Sequence, residues 1–112
     1  MKIDSYSFGV ITIDGKTYKE DVIILPNNQI VERPLPKGTH IVTSQEISIL
    51  VKEKPVIIVV GTGESGIAKI EDDARGLVEN SNIKLIVQPT GQAINAFNEI
   101  KERKAGLFHL TC

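Results

Sequence analysis

The chain has no tryptophan, a single cysteine and only 4% aromatic residues. No apolar run approaches the roughly 18 residues that a membrane span needs. Each shortage removes a class of protein. One cysteine cannot close an intrachain disulfide, so the fold does not lean on an oxidising compartment. Cys112 reads as inert, because a reactive thiol needs an electropositive, partly exposed setting. Excess charge of one sign is also missing: 13 Lys and Arg stand against 14 Asp and Glu, a formal charge of −1. A nucleic-acid binder normally carries a basic excess to neutralise phosphates, so DNA and RNA are not expected partners. Met1-Lys2-Ile3-Asp4-Ser5 forms neither an apolar signal core nor an Arg-rich presequence. The expectation is a cytoplasmic protein with no membrane association.

What the chain does have is β-branched residues. Ile and Val supply more than half of its apolar side chains, and 112 residues suit a single domain spanning 1–112. Tyr6, Phe8 and Val10 fall on one face of an extended run, Ile11 and Ile13 on the other. Asp14-Gly15 then separates this run from Lys16-Thr17-Tyr18, which predicts a hairpin through a turn with φ > 0 at both centres. Asp21 to Leu25 and Ile30-Val31 read as strands, and Pro34, Pro36 and Gly38 as a loop. Thr43-x-x-Glu46 matches a capping box, opening a helix whose buried stripe is Ile47, Leu50 and Val51.

Val56 to Val60 is apolar without alternation, the pattern of a strand covered on both faces. Gly61-Thr62-Gly63-Glu64-Ser65-Gly66 closes it. Ile67, Ile70, Ala74, Leu77 and Val78 then recur at helical spacing, with Gly76 a weak point in that helix. Ile83 to Val87 is a second strand of the buried type. A third helix follows Pro89-Thr90-Gly91, with Thr90 as its expected N-cap and Ala93, Ala96, Phe97 and Ile100 as its stripe. Ala105 to Leu110 is a final strand. Strand, helix, strand, helix, strand implies right-handed crossovers and an α/β fold with a mixed, mostly parallel central sheet. The N-terminal hairpin supplies an extra β layer.

Gly61-x-Gly63-x-x-Gly66 after a strand has the spacing of a dinucleotide-binding turn. Three features count against it. Gln88-Pro89 stands where the ribose-binding acid belongs, the helical stripe starts only near Ile67, and the chain is too short for both halves of such a sheet. A tight glycine turn and a looser anion site on backbone amides remain as readings. Both Thr62-Gly63 and Thr90-Gly91 would lie at the carboxyl ends of parallel strands, where ligands gather in open α/β sheets. Amides of the two turns, pointing outward, would then form a small electropositive rim. His40 and His109 show no metal spacing, and with one cysteine no metal site is expected. No serine lies in a nucleophile elbow, and no triad or carboxylate pair stands out. Accordingly no catalytic residue and no cofactor is assigned.

Gly61-Thr62-Gly63, Pro89-Thr90-Gly91-x-Ala93, Phe97-Asn98 and Leu107-x-His109-Leu110-Thr111-Cys112 together resemble one small family. It holds archaeal and bacterial proteins of unknown function, the mammalian adipogenesis-associated protein and a mitochondrial assembly factor for respiratory complex I. The resemblance covers nearly the whole chain. Phe97 stands where the family often has Tyr, and Lys101 to Ala105 is shortened. It implies a three-layer α/β fold and provides no catalytic residues, so no mechanism carries over. The leading functional expectation is a non-enzymatic domain working through protein contacts, with a protein partner or a second copy of itself. The alternative is a small-molecule or anion-binding module, with or without enzyme activity, built on Gly61, Thr62, Gly63, Thr90, Gly91 and Asn98.

Overall fold

The computed structural model describes residues 2–34 and 39–111. The readings placed on Pro36, Gly38 and Cys112 lie outside these residues. In chain order the elements are β1 (Ile3–Ser7), β2 (Val10–Ile13), β3 (Lys16–Tyr18), β4 (Val22–Ile24), β5 (Ile30–Glu32) and β6 (Ile41–Val42). Then come α1 (Ser44–Lys52), β7 (Ile57–Thr62), β8 (Lys69–Ile70), α2 (Asp72–Asn80), β9 (Lys84–Gln88), α3 (Thr90–Glu99) and β10 (Lys104–His109).

The central sheet has the order β5-β4-β10-β7-β9. β7 is parallel to both β10 and β9, while β4 is antiparallel to β10 and to β5. All six residues of β7 are buried, which is why its β-branched run shows no alternation. Period-two alternation sorts its neighbours between two cores. Ile23, Ile58, Val60, Ala105 and Leu107 face α1 and α2, where Ile47, Leu50, Ala74 and Val78 meet them. Val22, Ile24, Val59 and Phe108 face the opposite layer, formed by Ala93, Ile94 and Phe97 of α3 and by Ile3, Ile11 and Ile13 of the β1-β2-β3 sheet. Phe97 and Phe108 pack edge to face at 5.4 Å. Burying one such side chain contributes about 1.5–3 kcal/mol. The result is three layers with the N-terminal hairpins as added β structure, as the sequence pattern and the resemblance imply.

Local signals set several of these elements. Asp14 (φ 49) and Gly15 (φ 83) make the β2–β3 turn with both centres at positive φ. The Thr43 hydroxyl accepts from the Glu46 amide at 3.3 Å, while the Glu46 carboxylate accepts from the Thr43 amide at 3.0 Å, so the capping box forms. At the far end of α3, Lys104 Nζ donates to the Phe97 and Ile100 carbonyls, covering acceptors that the helix leaves open.

Three expectations need correction. The alternating run from Tyr6 to Ile13 is two strands, because Phe8-Gly9 forms a second hairpin turn with Gly9 at φ 77. Ile67 and Ile70 do not belong to α2: Lys69–Ile70 is β8, paired in parallel with β6, and Ile67 is exposed. Gly63 and Gly66 therefore lead into a short strand, so a helix N-terminus does not follow them and the dinucleotide fingerprint fails. Thr90 is also inside the first turn of α3, whose N-cap is Pro89.

Candidate functional site

Because β7 and β9 are parallel neighbours with Gly61 opposite Gln88, their carboxyl ends bring Gly61-Thr62-Gly63 beside Pro89-Thr90-Gly91. Thr90 joins them. Its hydroxyl accepts from the Gly63 amide at 2.8 Å and donates to the His109 carbonyl, and its own amide donates to the Gly63 carbonyl at 2.9 Å. One buried threonine thus ties the ends of β7 and β10 to the start of α3.

The glycines serve this closeness. A Cβ on Gly61 would lie 2.8 Å from Thr90 Oγ1 and 3.0 Å from the Phe108 ring. One on Gly63, at φ +100, would lie 2.2 Å from the Thr111 carbonyl oxygen. The amides are committed as well: Glu64 donates to Thr111, Gly66 to Gly63 and Ala68 to the Thr62 carbonyl. The outward-facing amide rim expected from the two turns is consequently not formed by Gly63, Glu64, Gly66 or Thr90. Asn98, on α3, spans the backbone of Ile3, accepting from its amide at 3.0 Å and donating to its carbonyl at 2.9 Å. Of the six candidate residues, Gly61, Thr62, Gly63 and Thr90 are buried, Asn98 is half-buried and only Gly91 is exposed.

Gly91 borders an open groove of about 430 Å³, lined also by Tyr6, Ser7, Phe8, Glu64, Pro89 and Gln92. The Tyr6 hydroxyl donates to the Leu110 carbonyl at 3.1 Å. Burial, together with the adjacent Glu64 carboxylate, pushes its ionisation far above the ordinary tyrosine value. It is a neutral hydrogen-bond donor at physiological pH.

Behind this edge lies a buried ionic cluster that sequence reading missed. Arg33 donates through Nε and Nη2 to the Glu46 carboxylate and through Nη1 to Asp21 Oδ2 at 3.0 Å. It also donates to the Thr39 carbonyl at 2.7 Å and to that of Ile41. Asp21 Oδ2 lies 2.7 Å from His109 Nδ1, and Oδ1 accepts from the Leu110 amide at 2.9 Å. Burial opposes ionisation of Asp21, but the bonds from His109, Leu110 and Arg33 outweigh it and hold the carboxyl below its ordinary value. Burial likewise opposes the Arg33 charge, and Glu46 and Asp21 more than compensate. His40 meets His109 edge to face at 5.5 Å, although the two are far apart in sequence. No group of three or more His, Cys, Asp and Glu among the described residues is placed to hold a metal ion. The only sequence trace of the cluster is the capping-box Glu46. Its partners flank β4 and β5 or lie on β10, and no local pattern announces them.

Residues 3–108 match a family described as a protein of unknown function, DUF498/DUF598. This chain belongs to that family. A solved structure, the conserved hypothetical protein PH1505 from Pyrococcus horikoshii OT3, is 29% identical over 100% of both chains, with a TM-score of 0.89. An outer membrane protein from Bartonella henselae is 21% identical, over 98% of this chain and 94% of its own, at 0.84. A Bordetella pertussis protein described as a Mth938-like domain is 12% identical, over 97% and 85%, at 0.64. The last two establish likeness of fold alone. No curated protein matches the chain. No helix among the described residues of this DUF498/DUF598 domain is long and apolar enough to cross a membrane.

Proposed function

We propose that this DUF498/DUF598 chain is a non-enzymatic, cytoplasmic protein-contact domain of the assembly-factor kind, docking through the carboxyl edge of its central sheet. The observation that carries the reading is the apolar rim of that edge. Phe8 is 61% exposed at a hairpin tip on the groove wall, and Ile67 is 60% exposed. Ile67 follows Gly66, where a Cβ would lie 3.1 Å from the Pro89 ring of the same groove. Ile41, 50% exposed, lies on β6 opposite Lys69, two residues beyond Ile67. We read Phe8, Ile67 and Ile41 together as one contact surface. Inside it, Thr90 and Gly63 spend their polar groups on holding the edge together. The resemblance to a family containing a mitochondrial complex I assembly factor supports the same reading.

The alternative, an anion or small-molecule site, is less favoured. Glu64 on the groove wall repels an anion, and the amides of Gly63, Glu64, Gly66 and Thr90 already have internal acceptors.

The test uses the immobilised protein and the partner it retains. Phe8→Ser combined with Ile67→Ser should reduce retention of that partner by about tenfold or more, the scale of a contact hot spot. Val56→Ser, at a residue 54% exposed beyond the opposite end of β7, should leave it unchanged. Retention lost in the Val56 variant and kept in the double variant would overturn the proposal. Gly91→Arg is a second probe, since a Cβ there meets nothing within 4 Å and the fold is spared.

A further inference from the structure

We infer that this chain pairs with a second copy of itself along β9, joining two central sheets into one. β9 is the terminal strand of the sheet and has β7 on one side only. The Lys84 amide donates to the Val56 carbonyl at 3.1 Å, which fixes the phase of the ladder. Lys84, Ile86 and Gln88 turn their N–H and C=O groups toward β7. Leu85 and Val87 turn theirs to the open edge, because backbone polar groups alternate sides along a strand.

Sheet edges are usually blunted against such pairing, and among the described residues the other edges of the two larger sheets are. β1 has an irregular register between Ile3 and Ser5, and Asn98 occupies the backbone groups of Ile3. β3 is three residues long and begins with Lys16. β5 is equally short and ends in Glu32. β9 has five residues, an unbroken register and an apolar centre, Leu85-Ile86-Val87, that is half-buried. It carries no proline and one charge, at Lys84.

That charge selects the geometry. In a parallel pairing in register, Lys84 would face Lys84 of the second copy. In an antiparallel pairing about a two-fold axis through Ile86, Lys84 faces Gln88 and no like charges meet. Leu85 then opposes Val87 with both outward N–H and C=O pairs exchanged, and this happens twice by symmetry. Ile86 faces its own copy at the close, non-hydrogen-bonded position. Side chains keep their layers: Leu85 and Val87 lie on the α1/α2 side, Ile86 on the α3 side. A two-fold, self-complementary contact is the commonest symmetry for a homodimer.

The experiment combines sedimentation with amide hydrogen exchange on the full chain over a concentration series. The sedimenting mass should double with rising concentration, while exchange at the Leu85 and Val87 amides slows by about tenfold or more. Ile86→Lys should abolish the doubling, as should Ile86→Glu, and mixing the two should restore a one-to-one dimer. Because either substitution also disturbs side-chain packing, the exchange measurement on the unaltered chain stands independently of the variants. A chain that stays monomeric throughout the series, or a dimer whose Leu85 and Val87 amides exchange as fast as in the monomer, would overturn the inference.

Discussion

At the residue scale, one turn and one hydroxyl carry most of the consequence. Gly15 sits at φ 83 with open space around it, so its constraint is the backbone conformation alone. Gly15→Val should cost about 1–3 kcal/mol, read as a lowered melting temperature; an unchanged value would show that the turn relaxes to another type. Thr90 is the harsher case. Thr90→Val keeps the shape but leaves the Gly63 amide and the His109 carbonyl buried without their partner. Each orphaned group costs about 1–3 kcal/mol, and urea unfolding should register both. Thr90→Ser, retaining the hydroxyl, should recover most of the loss. Asp14-Gly15 was legible in the sequence because a turn is a local event, decided by which residues tolerate positive φ. The work of Thr90 was not, since it depends on two chain segments 27 and 19 residues away.

Among elements, the ionic cluster decides how the β4–β5 hairpin is fastened to α1 and β10. Asp21 and Arg33 close the open end of that hairpin, with the Arg33 amide donating to the Asp21 carbonyl at 3.1 Å. Removing one partner of a buried pair strands the other, so Glu46→Ala should cost about 3–5 kcal/mol, more than loss of a helix cap alone. Equilibrium denaturation measures it. The cluster also imposes a pH dependence. The folded pKa of Asp21 lies below its unfolded value of 3.8, so ionised Asp21 stabilises the fold at pH values above 3.8. That contribution fades as pH falls through the folded pKa, where the carboxyl is protonated in both states. Asp21→Asn should therefore be markedly less stable than the unaltered chain near neutrality, with the gap closing on acidification. A gap independent of pH would show that the Asp21 charge contributes nothing. Strands and helices were readable from hydrophobic period, and errors arose where period misleads. Ile67 and Ile70 fit a helical stripe, yet the chain there pairs with β6, and only the fold supplies β6 as a neighbour.

For the whole molecule, the order β5-β4-β10-β7-β9 places β10 at the centre of the sheet, although it is the last strand in sequence. It alone joins the antiparallel half to the parallel half, and it delivers His109 and Leu110 to Asp21 and Phe108 to the α3 layer. On a ribosome, synthesis runs from the N-terminus, so two half-sheets emerge first, each with an unfilled edge where β10 will go. The gap they leave is shaped for one strand, and until it is filled the nascent chain exposes two adhesive borders. Stalled chains lengthened stepwise should remain open to protease until Lys104–His109 clears the exit tunnel, then become resistant in a single step.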